Sequence, residues 1–174
     1  MKPVSRSSRH RRPYAASFAL AVLWSTLALA EGVRGEPGAA FSIESVRAHF
    51  YYQGSGTFSD ADLFDPSVVL RNTTIGEGGD AKEPSSITLV LVKLAGSFLA
   101  GTKGAVEIDA HSKDRKYPHQ SIPLSALFSE TGTVTAPFLI HDTPCSPLTL
   151  EIRLVGVPGK AASVERTIPF QCGE

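Results

Sequence analysis

Residues 45–52 read SVRAHFYY, and the alternation within that stretch decides the fold. Val46, Ala48, Phe50 and Tyr52 point one way, and Ser45, Arg47, His49 and Tyr51 point the other. Apolar side chains at every second position mark a strand with one buried face, because successive side chains of extended backbone leave on opposite sides. The same period recurs downstream. In AVEIDAH (105–111), Val106, Ile108 and Ala110 alternate with Glu107, Asp109 and His111. In LTLEIRLVG (148–156), Leu148, Leu150, Ile152 and Leu154 alternate with Thr149, Glu151, Arg153 and Val155. ITLVLVKLAG (87–96) is apolar on both sides, which suits a central strand. SVVLRN (67–72), TVTAPFLI (133–140) and SVERTIPF (163–170) complete a set of about seven strands.

Turn residues punctuate the strands at short intervals, in GSG, DPS, GEGGD, AGTKG, ETG, TPCSP and GVPGK. The one helical candidate is LSALFSE (124–130), good for a turn or two. These features predict an all-β, antiparallel β-sandwich of about seven strands with immunoglobulin-like architecture. A small barrel is the alternative. The core tryptophan of antibody domains is missing, since Trp24 falls in the amino-terminal segment, so the expectation concerns architecture alone.

That amino-terminal segment differs from the rest. Lys2, Arg6, Arg9, Arg11 and Arg12 make a basic head without an acid, followed by the apolar run 15–30, AASFALAVLWSTLALA, which ends on Ala28-Leu29-Ala30. Basic head, short apolar middle and small-residue exit predict a secretory signal peptide over 1–30. The run holds 16 residues, short of the roughly 20 that a spanning helix needs. Arg11-Arg12 raises twin-arginine export, but Pro13 and the lack of a preceding Ser or Thr match it poorly. A lipid anchor on an amino-terminal cysteine is excluded, because both cysteines lie far downstream. Residues 31–40, EGVRGEPGAA, read as a flexible leader, and 41–174 as one domain. The leader and the composition suggest a bacterial, periplasmic or secreted protein.

Cleavage changes the charge. The chain has 17 Lys+Arg and 17 Asp+Glu, and the signal takes five of the bases and no acid, leaving 12 against 17, a net −5 with His neutral. An acidic domain is a poor partner for nucleic acid or for an anionic membrane, both of which select Lys and Arg. The only cysteines, Cys145 and Cys172, suggest one disulfide in an oxidising compartment. They flank the strands at 148–156 and 164–170, so a hairpin through GVPGKAAS would make them neighbours. Closing that loop would contribute about 3.5 kcal/mol in the chain-entropy model.

Several clusters invite a chemical reading. RNTTIGEGGDAKEPSS (71–86) gathers Gly76, Gly78 and Gly79, but it lacks the Lys-Ser or Lys-Thr of a phosphate loop, and position 81 is Ala rather than the third dinucleotide glycine. Pro84 and a strand follow it, and Glu77 and Asp80 would repel phosphate. The glycines are expected to serve a tight connection. Asp60, Asp62 and Asp65 in SDADLFDPS, with Glu77 or Asp80 from another loop, could hold calcium through hard oxygens. Turn-stabilising aspartates are the plainer expectation. Glu107, Asp109 and His111 share one side of a strand and could meet a divalent metal. Steps of about 6.6 Å strain that arrangement, and the wet face of an edge strand explains them as well. His119 and His141-Asp142 have no spacing that ties them together. There is no G-x-S-x-G elbow, and the sequon Asn72-Thr73-Thr74 is expected to stay bare in a bacterial host.

The expectation for function is therefore a non-enzymatic binding or accessory module for a protein or glycan partner, without a cofactor. The alternative is a calcium or other divalent-metal module, or a metal-dependent enzyme using the acidic loops. An enzyme built from scattered residues would show itself as a pocket gathering His49, His111 or His141 with a carboxylate.

Overall fold

The computed structural model describes residues 41–77, 79–98, 101–143, 146–157 and 162–173. The expected signal peptide and leader, residues 1–40, lie outside them. Among the described residues, β1 (Ser42–Tyr52), β2 (Thr57–Phe58), β3 (Ile87–Ala95), β4 (Ala105–His111), β5 (Gln120–Pro123), β6 (Thr133–His141), β7 (Leu148–Val155) and β8 (Ser163–Ile168) form two four-stranded sheets. The first sheet has the order β2-β1-β3-β6, the second β5-β4-β7-β8, and every strand pairing is antiparallel. The protein is an all-β sandwich. Its connectivity follows the immunoglobulin plan, with β1, β3 and β6 in the places of strands A, B and E, and β5, β4, β7 and β8 in those of C′, C, F and G.

The alternation read in the sequence sets the core. Val46, Ala48, Phe50 and Tyr52 of β1 face Val106, Ile108 and Ala110 of β4 and Leu148, Leu150, Ile152 and Leu154 of β7, all buried. Phe50, Phe138 and Phe170 are almost wholly buried, and the Phe50 and Phe170 rings lie 6.2 Å apart. Such rings, held at close-packed density, each withdraw a large apolar area from water. One polar group breaks the pattern. Thr88 of β3 is fully buried, pairs with Phe50 and Ile140 on its flanks, and its hydroxyl has no hydrogen-bond partner.

Two readings need correction. SVVLRN is not a strand. Asp65 Oδ1 accepts the Ser67 N–H at 2.8 Å, Val69 donates to Asp80 Oδ2 at 2.6 Å, and only Arg71 makes a parallel bridge, to Gln171. Its backbone groups are satisfied by side chains and by the tail, so the alternation of Val and Leu there never meets a ladder. The strands β2 and β5 went unforeseen because two and four residues are too short to show a period. LSALFSE yields a single 3-10 turn, Leu124–Ala126, which Leu124 anchors in the core.

The carboxy-terminal tail is clipped to the loop before β3. Gln171 donates to the Leu70 carbonyl and Asn72 to the Gln171 carbonyl, both at 2.9 Å, and the Asn72 side-chain oxygen accepts the Gly173 N–H. The β7–β8 hairpin forms as expected. Cys172 is not a free thiol; its expected partner, Cys145, lies outside the described residues.

Candidate functional site

The glycine loop serves the backbone. Gly76 has φ +72°, and a Cβ there would stand 2.9 Å from the Pro84 nitrogen. A Cβ on Gly79 would come within 2.6 Å of the Val69 carbonyl. Both positions therefore exclude a side chain, the first also because left-handed backbone favours glycine. Gly78 lies outside the described residues.

The acidic loops are likewise committed to local structure. Asp62 Oδ1 accepts N–H groups from Ala48 (3.1 Å) and Phe64 (3.2 Å). The Ser67 hydroxyl, at 2.7 Å, and amide hold the Asp65 carboxyl below its ordinary range. Asp60 is fully exposed and pairs with Lys82 at 3.5 Å. Among the described residues, no group of three or more His, Cys, Asp or Glu side chains is placed to hold a metal ion.

Glu107 and Asp109 do share a face, but β4 is not an edge strand at Glu107, where it lies between β5 and β7; its pairing with β5 ends at Ile108, and from Asp109 on β7 is its one strand partner among the described residues. Register brings Arg153 of β7 opposite Glu107, and Arg153 binds Asp109 and lies 3.6 Å from Glu151 and 3.9 Å from Glu107. The His119 ring reaches in from the β4–β5 connection, its Nδ1 2.9 Å from Asp109 Oδ1 and its Nε2 3.9 Å from Glu107. The hydrogen bond from His119, reinforced by the charge of Arg153, holds the Asp109 carboxyl below its ordinary range. His111 is absent from this group and pairs its backbone with Lys116. The outer face of the second sheet thus carries an electrostatic array in which Glu107, Asp109, His119 and Arg153 pair with one another. Sequence spacing could not find it, because His119 and Arg153 join only through register.

The outer face of the first sheet is built differently. β3 carries Ile87, Leu89 and Leu91 outward, flanked by Tyr51, His49 and Arg47 of β1 and by His141, Leu139 and Pro137 of β6. Phe58 of β2 extends the row, its ring 5.1 Å from that of Tyr51. Leu89 is 9 % exposed, whereas Phe58 is 49 % and Leu139 40 % exposed. Lys93 is neutralised by Glu44 at 2.8 Å. The His49 ring lies 2.9 Å from the Ser59 carbonyl and donates to it through Nδ1–H, which leaves Nε2 outward. The clue in the sequence was the second apolar stripe of ITLVLVKLAG.

Several grooves open along the surface of the sandwich. One, of about 430 Å³, is lined by Arg115, Tyr117, Gln120, Leu139, His141 and Asp142. It places His141 beside a carboxylate, but Asp142 is bound by Arg115 at 3.2 Å, and Arg115 also stacks 4.8 Å over the Tyr117 ring. Burial raises the Tyr117 pKa, and its hydroxyl donates to the Asp142 carbonyl at 3.1 Å. Another groove, about 570 Å³, runs between Ile43 and Val46 of β1 and Val164 and Arg166 of β8. His49 and His111 line neither.

The class these features define is an immunoglobulin-like sandwich with one charged and one apolar outer face. No family model matches the chain, and no curated protein is similar to it at a significant level. Among the described residues, no helix is long and apolar enough to cross a membrane.

Proposed function

We propose that the chain is an exported, non-enzymatic β-sandwich that acts as a binding or accessory module for a partner protein, in the periplasm or outside a bacterial cell. The observation that carries this reading is the outer face of the first sheet. Leucine, isoleucine and aromatic side chains occupy positions that a free sandwich of this kind fills with polar residues, and contiguous exposed apolar surface marks association sites. A glycan would call for more hydrogen-bond donors and acceptors than Leu89, Leu91, Pro137 and Leu139 offer. The basic, apolar leader at 1–30 and the net charge of −5 that remains after its removal support export and argue against nucleic acid. A Cys145–Cys172 bridge belongs to the same proposal, as a staple on the β7–β8 hairpin in an oxidising compartment.

The test is fractionation of cells expressing the tagged chain, followed by sequencing of its amino terminus and reciprocal co-purification. The expected result is a chain that starts at Glu31, outside the cytoplasm, with its two sulfurs joined and one protein recovered in both directions. A full-length, unprocessed chain in the cytoplasm, or one that retains no protein, overturns the reading.

A further inference from the structure

We infer that the outer face of the first sheet docks a partner protein that is apolar at its centre and acidic at its rim. This rests on the binding function proposed above and specifies its surface and the chemistry of its partner. The charge of the face carries the inference. The outward positions of β1, β2, β3 and β6 hold Arg47, His49 and His141, and the one further pair of charges, Lys93 with Glu44 of β1, cancels itself. An apolar strip of Phe58, Tyr51, Leu89 and Leu139 thus has Arg47 and two imidazoles around it on a protein whose mature charge is negative. Complementary charge at the rim sets partner choice and encounter rate, while the apolar centre supplies affinity.

The edges of the sandwich turn away an added strand. On β6, Pro137 has no N–H to donate, and the Leu139 carbonyl already accepts Gln120 Nε2 at 2.8 Å. Part of β1 is covered by the following loop, where Ser59 donates to the Phe50 carbonyl and Leu63 to that of Ala48. On β8, Arg166 points to the core side yet stays exposed, its guanidinium 5.4 Å over the Phe64 ring. An inward charge of that kind blunts an edge. With these borders of the first sheet and of β8 blunted, the partner packs against the side chains of the face and does not extend the ladder there.

Two nearer occupants fit poorly. A second copy packed face to face would set Arg47, His49 and His141 against their own equivalents or against apolar side chains. The other outer face of a second copy is the ion-paired array of Glu107, Asp109 and Arg153, which offers no apolar centre. The leader 31–40, EGVRGEPGAA, has Val33 as its largest apolar side chain and cannot fill the strip. Other large exposed apolar residues, Val69, Ile75 and Phe128, stand in loops.

The test is site-specific photocrosslinking in the native compartment, with a benzophenone amino acid incorporated at position 58 or 139 on this face, or at position 167 on the opposite one. The expected result is one protein adduct from 58 and 139 and none from 167. Its crosslinked peptide should be apolar and flanked by Asp or Glu. Arg47→Glu should lower the yield about tenfold, with circular dichroism unchanged, and added salt should lower it too. An adduct from 167 alone overturns the docking face and leaves the binding function standing. Adducts with a second copy, or with a contact peptide lacking acids, overturn the partner's chemistry. No protein adduct from any position, with retention on a neutral polysaccharide instead, overturns this inference together with the protein-binding function.

Discussion

The two sheets bury similar inner faces and present opposite outer ones. Outside the second sheet, Glu107, Asp109, His119 and Arg153 settle their charges among themselves. Outside the first, Leu89 is nearly as inaccessible as a core residue, between its cross-strand neighbours His49 and Leu139. The lesson is that an outward position in a strand is not one environment. A charged face is complete in water, because each group has a partner or solvent. A leucine-rich face shelters its middle row and leaves the flanking rows, here Phe58 and Leu139, half covered, so further association withdraws more apolar area from water.

That contrast can be broken experimentally, and the inner face provides the upper bound. Leu150→Ala removes a fully buried side chain from between the sheets and should cost about 3 kcal/mol in urea unfolding, as cavities in close-packed cores do. Leu89→Ala should cost about 2 kcal/mol, less because the outer row can settle into the gap. If Leu89→Ala proves as mild as a surface change, within about 0.5 kcal/mol, the first sheet's outer face is no second core and the contrast fails. Next comes Thr88→Val, which replaces an unpartnered buried hydroxyl with a methyl of nearly the same volume. It should stabilise by about 1 kcal/mol, the desolvation cost of an unmade hydrogen bond. A loss of stability there would mean that the hydroxyl has a partner, such as buried water.

The sequence made the inner faces legible because period two is written directly into Val46-Ala48-Phe50-Tyr52 and Leu148-Leu150-Ile152-Leu154. It placed the β7–β8 hairpin for the same reason. It misled at SVVLRN, where alternation occurs in a loop whose N–H groups go to Asp65 and Asp80. It treated Glu107 as an edge residue because strand order is not local information: only the pairing of β4 with both β5 and β7 shows that position as interior. His119 and Arg153 stood apart for the same reason. The apolar outer strip was half legible. The two-sided character of ITLVLVKLAG marked β3 as central, but which second surface its outward stripe would meet depended on β1, β2 and β6 supplying Tyr51, Phe58 and Leu139.

The smallest effect belongs to the charged face, and its sign follows from Asp109. The His119 hydrogen bond and the Arg153 charge lower this carboxyl from its ordinary value of 3.8. On acidification the unfolded chain therefore takes up this proton first. The contribution of the array is present above about pH 4 and is lost as pH falls through the lower folded value. Because Asp109 keeps 38 % of its side chain exposed, solvent screens it, and Asp109→Asn should cost under about 1 kcal/mol at neutral pH. The difference in Tm between the parent and Asp109→Asn should narrow below about pH 4 and shrink with salt at neutral pH. Leu89→Ala should show neither dependence, since its cost is withdrawal of apolar area and cavity formation. If instead Asp109→Asn proved as costly as Leu89→Ala, or its cost persisted in acid, the array would be holding the sheet through packing, and the two outer faces would be alike in kind.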